Sequence, residues 1–193
     1  MNIHLALFFV SFLTTTICFS QDSTFYIKFP DNWVQFQRND VLNSVKNKYE
    51  LSDKTKEEIL ANSNSTQLYG YAAPSKPNTL YRPNIQVLLI KNQAQNFGQF
   101  KKGIEMSLEG FKTKISDLQI LDSFHTVTID NKQAVYGKIS GFVMTKSGEK
   151  AQLITRIYAI PVGKFFYQLT LNDSGDYDCE EEYKKVVHSL KLK

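Results

Sequence analysis

Charge is missing where the chain begins: residues 1–20 contain no Asp, Glu, Lys or Arg. Within them Leu5 to Leu13 (LALFFVSFL) forms one compact apolar run, followed by Thr14-Thr15-Thr16. That run is shorter than the ~20 apolar residues a spanning helix needs. Small residues at Cys18 and Ser20 precede Gln21, the pattern of a secretory signal peptide with cleavage after Ser20. The expected domain organisation is therefore residues 1–20 as signal peptide and 21–193 as one exported domain, periplasmic or secreted. The n-region carries only the α-amino group and His4, so retention as an uncleaved anchor and lipidation at Cys18 stay open as alternatives. Membrane contact is expected only through the signal peptide before cleavage.

Cysteine is nearly absent as well. Only Cys18 and Cys179 occur, so a chain cleaved after Ser20 keeps one thiol and has no intramolecular disulfide. The fold must stand on its core, and 193 residues suffice for one. Clustered positive charge is also lacking. The formal charge of +4 is spread out, with no run of Lys or Arg longer than two, which argues against nucleic acid as a partner.

What is present is β-pattern. Phe124 to Leu171 is cut by Asp130-Asn131-Lys132, Lys146-Ser147-Gly148 and Pro161-Val162-Gly163 into four runs rich in β-branched and aromatic residues, a predicted antiparallel meander. Upstream, Thr24 to Phe29 alternates as a half-buried strand, Pro30-Asp31-Asn32 turns, and Trp33 to Gln37 returns as a hairpin arm with Trp33 in the core. Helical spacing from Val41 to Tyr49 and a Ser52 N-cap predict two short helices, the second about Asp53 to Asn62. Two strands follow, Thr66 to Ala72 and Asn84 to Ile90. The second scarcely alternates, so it is expected to be central and covered on both faces.

Phe97, Phe100, Ile104, Leu108, Phe111 and Ile115 mark a long amphipathic helix, with Asn96 and Gln99 as a capping box and Lys101–Glu105 as an outward ion pair. Gly103 and Gly110 on this helix are expected to let its backbone approach the sheet. A last helix carries Cys179, Tyr183, Val186, Val187 and Leu190 on one side, with acids at its start and Lys184, Lys185 and His188 near its end, as the helix dipole favours. The fold class is thus α+β, an antiparallel sheet covered by helices.

This element order resembles the PsbP-like and DcrB-like superfamily. So do Phe25-Tyr26-Ile27-Lys28-Phe29-Pro30-Asp31-Asn32-Trp33, Tyr167-Gln168-Leu169-Thr170 and Val186-Val187-His188-Ser189-Leu190. The resemblance implies a sheet sandwiched between helices and a non-enzymatic scaffold that binds or stabilises proteins, and residues 1–20 favour its exported branch over its cytoplasmic effector chaperones.

Catalytic and metal motifs are wanting. Gly137-Lys138-Ile139-Ser140-Gly141 places its serine wrongly for a nucleophile elbow. His125 and His188 have no ligand at metal spacing, and no glycine-rich phosphate loop occurs. Asp173-Ser174-Gly175-Asp176-Tyr177-Asp178 offers oxygen ligands without the spacing of a calcium loop, and acids at a helix start already have a structural reason. Cys179, on the apolar stripe, reads as a buried inert thiol. No enzyme and no cofactor are expected. An unidentified protein partner is the favoured ligand, with a small apolar molecule between sheet and helices as the alternative and an enzyme whose residues meet only in the fold as a third reading.

The expected partner surface is the connection from Ala73 to Pro83, which contains Pro74, Pro77 and Pro83 and is longer than the ~2–6 residues typical between strands. Tyr71 at its entrance, Lys76, Tyr81 and Arg82 are the candidate binding residues, since Tyr and Arg are enriched at interface hot spots. The structural alternative is that Leu80 and Tyr81 only shield a sheet edge. The leader is tested by the intact mass of the protein from its host, expected to begin at or near Gln21. A full-length cytoplasmic species contradicts export, and an acylated chain starting at Cys18 establishes lipidation instead.

Overall fold

The computed structural model describes residues 25–36, 65–76, 81–112, 117–144 and 148–192. In chain order the elements are β1 (Phe25–Tyr26), β2 (Val34–Gln35), β3 (Ser65–Ala72), β4 (Asn84–Lys91), α1 (Phe97–Lys112), β5 (Gln119–Ile129), β6 (Lys132–Met144), β7 (Lys150–Val162), β8 (Phe165–Ser174), α2 (Glu180–Ser189) and β9 (Lys191–Leu192). Seven strands form one antiparallel sheet in the order β2-β3-β4-β8-β7-β6-β5, and β1 pairs with β9 beside it. Among the described residues no helix is long and apolar enough to cross a membrane.

The expected meander is β5 to β8, somewhat longer at both ends than the sequence pattern suggested. Asp130 and Asn131 link β5 to β6 with φ of 45° and 63°, the left-handed pair that a two-residue hairpin needs to match strand twist. Asp130 also ties this turn to β9, since its carboxylate accepts the Leu192 N–H at 2.6 Å.

Alternation along the strands sends two sets of side chains to opposite faces. On one face Ile85, Val87, Leu169, Leu171 and Ile160 pack against Tyr183, Val186 and Leu190 at α2, with Ile27 and Trp33 from the amino-terminal segment. On the other, Val135 and Ala159 receive Phe100 of α1, with Phe97, Ile104, Phe124 and Phe166 around them. The first cluster is much the larger. Helices therefore lie on both faces, but among the described residues cover is partial and the sheet dominates. Phe142, Ile120 and Leu121 remain exposed.

The caps of α1 follow the sequence closely. The Gln99 N–H bonds Asn96 Oδ1 at 3.0 Å, while the Gln99 side chain accepts from the Gln95 N–H, one residue beyond the N-cap N–H that a standard capping box uses. Lys101 and Glu105 do pair. Phe100 and Leu108 are buried, whereas Ile115 and the side chain of Phe111 lie outside the described residues.

Other expectations change. β1 and β2 do not pair with each other: β1 joins β9 and β2 joins β3, because hairpin pairing is displaced by longer-range partners. Pro161 sits inside β7 opposite Phe166, and Gly163, with φ of 59°, makes the turn. The proline is tolerated because the ladder between β6 and β7 has already ended at Val135–Ala159, so no β6 carbonyl awaits its missing N–H. β4 is internal, yet it buries mainly Ile85 and Val87, so one face is better covered than the other. Gly103 faces open space rather than the sheet, which removes close packing as its reason. The two helices expected between Asn39 and Asn62 and the centre of the Lys146-Ser147-Gly148 turn lie outside the described residues, as does the side-chain environment of Gly110.

Gly137 shows what a missing side chain can do. A Cβ there would lie 2.3 Å from Phe124 Cζ, so the ring rests across the bare backbone of β6. Gly137→Ala is expected to lower stability by about 1–3 kcal/mol, the usual cost of overpacking. Thermal unfolding measures this, and adding Phe124→Leu should recover part of the loss. A Gly137→Ala chain as stable as wild type would contradict the packing.

Candidate functional site

The residues expected to bind a partner divide into two groups. Tyr71 belongs to β3 and stacks on Phe29 with centroids 4.1 Å apart and planes at 18°. It supports the edge of the core. The other three belong to the β3–β4 loop itself. The Ala73 N–H bonds the Pro83 carbonyl at 2.9 Å, and Arg82 Nε donates to the Ala73 carbonyl, so the loop closes its own neck. Asn84 Nδ2 donates to the Tyr81 hydroxyl at 2.7 Å. Lys76 is exposed, and its Nζ stands 3.4 Å above the ring centroid of Tyr177, in the turn between β8 and α2. Residues 77–80, including Leu80, lie outside the described residues.

From Tyr81 a polar ladder runs across the sheet. Asn172 Nδ2 donates to Asn84 Oδ1 at 3.0 Å, and Thr155 Oγ1 donates to Asn172 Oδ1 at 2.7 Å. Asn84, Asn172 and Thr155 are direct cross-strand neighbours on β4, β8 and β7. Buried polar side chains are stable only when bonded to one another in this way. The sequence held a signal for them, since Asn and Asp are depleted in strands and Asn172-Asp173 falls within one.

The opposite face carries a charged network. Arg156 of β7 holds Asp173 of β8 at 2.8 Å and Glu180, the first residue of α2, at 3.0 Å; Lys138 lies 3.9 Å from Glu180. Arg156 and Asp173 are almost wholly buried. Burial pushes the Asp173 carboxyl above its usual range, and the Arg156 charge offsets this only in part. Burial works against the guanidinium charge too, but Asp173 and Glu180 outweigh it and Arg156 stays firmly protonated. The Arg156 hydrogen bond lowers Glu180. Asp173 Oδ1 and Ser174 Oγ have no hydrogen-bonding partner among the described residues. The Tyr183 hydroxyl donates to the Asn172 carbonyl, fixing α2 to β8 from a second direction.

Burial and the nearby acids Glu182, Asp173 and Asp178 push the Cys179 thiol up to about 12. It is protonated at neutral pH and therefore a poor nucleophile, as its place on the apolar stripe suggested. His125 touches the Ser123 carbonyl, Asp122 and the edge of Tyr136, none of which bonds Asp173. His188 and Asp176 are exposed. Among the described residues no three of His, Cys, Asp and Glu gather at a metal-sized site.

Farther along α2 lies a cleft of about 260 Å³ between Lys28–Asp31 and one stripe of the helix, Glu182, Lys185, Val186 and Ser189. The Lys28 N–H bonds Ser189 Oγ at 2.8 Å and joins the two walls.

Arg156→Leu should destabilise the fold by about 3–5 kcal/mol near neutral pH, because Asp173 is left charged and buried. Without Arg156 the folded carboxyl pKa rises further above its unfolded value. That contribution to stability is present at acid pH and lost as pH rises through the folded pKa, so the deficit should shrink on acidification. Urea unfolding across pH tests this, with Asp173→Asn expected to restore part of the loss. A deficit of only ~0–1 kcal/mol, the worth of an exposed pair, would contradict the network.

No protein-family model matches the chain, and no curated protein matches it. Solved structures do. PA94 of Pseudomonas aeruginosa, a protein of unknown function, aligns at 13% identity and a TM-score of 0.51 over 84% of this chain and 98% of its own. LpqN of Mycobacterium tuberculosis, described as involved in cell envelope biogenesis, aligns at 14% identity and a TM-score of 0.50 over 89% and 86%. A protein of Bacteroides thetaiotaomicron aligns at 12% identity and a TM-score of 0.46 over 88% of this chain, which spans 45% of that one. At such identities the likeness to PA94 and LpqN shows a shared fold and nothing further.

Proposed function

We propose that this protein is an exported, non-enzymatic accessory module of PsbP-like architecture that binds another protein through the loop between β3 and β4. The carrying observation is the loop's construction. A long connection is closed at its neck by Ala73, Arg82 and Pro83, braced through Tyr81 on Asn84, and seated on Tyr177 by Lys76. Such bracing reduces the ordering entropy that binding would otherwise cost. Tyr81 and Arg82 shape the loop, and Lys76 meets the partner. Export is supported by the uncharged leader with its apolar run, and an envelope setting by the role stated for LpqN.

The alternative, a small apolar ligand, has the cleft beside α2 in its favour. Its ~260 Å³ lies below the roughly 300–1,000 Å³ of typical small-molecule sites, which favours the protein partner.

Cross-linking in the host envelope, followed by mass spectrometry, tests the loop. Lys76→Glu is expected to lose the partner with at most a small drop in thermal stability, since the exposed contact with Tyr177 is worth only about 0.5–1 kcal/mol. Tyr81→Ala with Arg82→Ala should lose both partner and some stability. Unchanged cross-links in the Lys76→Glu protein would refute the loop as the interface, and a small molecule retained in native mass spectrometry would favour the alternative.

A further inference from the structure

The cleft beside α2 is bordered by four charges that form no ion pair among the described residues. Phe29, Pro30 and Val186 give it an apolar lining, and Lys28, Asp31, Glu182 and Lys185 stand around it. All four charged residues are exposed, and none forms an ion pair with a described residue. This is not for want of opportunity on the helix. Glu181 and Lys184, three residues apart, pair at 2.8 Å, whereas Glu182 and Lys185 at the same spacing stand over the cleft unpaired. The walls are fixed, since Ser189 Oγ takes the Lys28 N–H and donates to the Val186 carbonyl at 2.7 Å. Phe29 is itself braced from behind by Tyr69 and Tyr71.

We infer that this cleft docks an extended segment of another protein, one that presents a single apolar side chain between a basic and an acidic residue. The size suits an anchor side chain rather than a whole small molecule. The rim decides the rest. Two cations and two anions offer no net attraction to a fatty acid or an anionic lipid surface, whose charge would meet Asp31 and Glu182 as well as Lys28 and Lys185. An uncharged apolar ligand would partly desolvate four charges and pair none. A peptide carrying both signs pairs them while its apolar residue fills the centre, the arrangement of an anchor within a polar rim. This site lies on other residues than the β3–β4 loop and does not rest on that loop's role.

The test is a display library of linear peptides, randomised at every position and selected against protein recovered from its own host. Wild type should enrich Leu, Met, Phe or Trp flanked by Lys or Arg on one side and Asp or Glu on the other. Selection on Glu182→Lys should replace the basic flank by an acidic one, and Lys185→Glu should do the reverse. A synthetic peptide of the wild-type sequence should bind either variant about threefold or more weakly by fluorescence anisotropy, since each reversal turns an attraction across the exposed rim into a repulsion. Lys185→Glu is at an exposed position and should leave thermal unfolding nearly unchanged, while Glu182→Lys, which puts a cation in the first turn of α2, should lower the midpoint only slightly. Undiminished peptide binding by Lys76→Glu separates this site from the loop. The inference is overturned if no selected peptide depends on Glu182 and Lys185, or if dodecanoate binds the cleft and displaces the peptides.

Discussion

Arg156 and Asp173 meet across β7 and β8 at 2.8 Å, both almost wholly buried, and Glu180 adds the first turn of α2 to the same guanidinium. Desolvating two charges is expensive, and their attraction in the interior returns little more than that cost. The pair is therefore a constraint more than a source of net stability. It admits one placement of α2 on the sheet, because any other leaves a buried charge alone. With α2 so placed, Tyr183, Val186 and Leu190 enter the core with Ile85, Leu169 and Leu171. The same placement sets the turn that carries Tyr177 beneath Lys76 and the stripe that walls the cleft. Both proposed binding surfaces depend on it.

The two faces of the sheet solve the burial of polar groups differently. On the α2 face charge is matched by charge. On the other, amides and hydroxyls from Tyr81 to Thr155 bond in series along cross-strand neighbours. These chains share the segment Asn172-Asp173, whose side chains point to opposite faces, and Tyr183 holds the Asn172 carbonyl. One dipeptide thus links the loop, the ladder and the helix.

Among the described residues cover by helices is less complete than a full sandwich. α1 meets the sheet mainly over β6 and β7 through Phe100. β5 stands at the sheet's edge, with irregular pairing between Ile120 and His125. Bulges of this kind discourage pairing with a further strand.

Periodicity carried the meander, α1 and α2 in the sequence, because alternation and helical stripes are local records of which side meets the core. Asp130-Asn131 was legible for a similar reason, being a local backbone requirement. The burial of Cys179 followed from its place just before α2, in line with that helix's apolar stripe. The sequence alone also located an unusually long connection at Ala73 to Pro83, with its candidate residues. It did not reveal that Tyr81 and Arg82 bond their own loop and its base, or that Tyr71 belongs with Phe29. Nor could it pair β1 with β9, seat Pro161 within a strand, join Arg156 to Asp173, or leave Glu182 and Lys185 unpaired over a cleft. Each of these depends on register between segments far apart in the chain, and register is decided by the packing of the whole sheet, which no local period encodes.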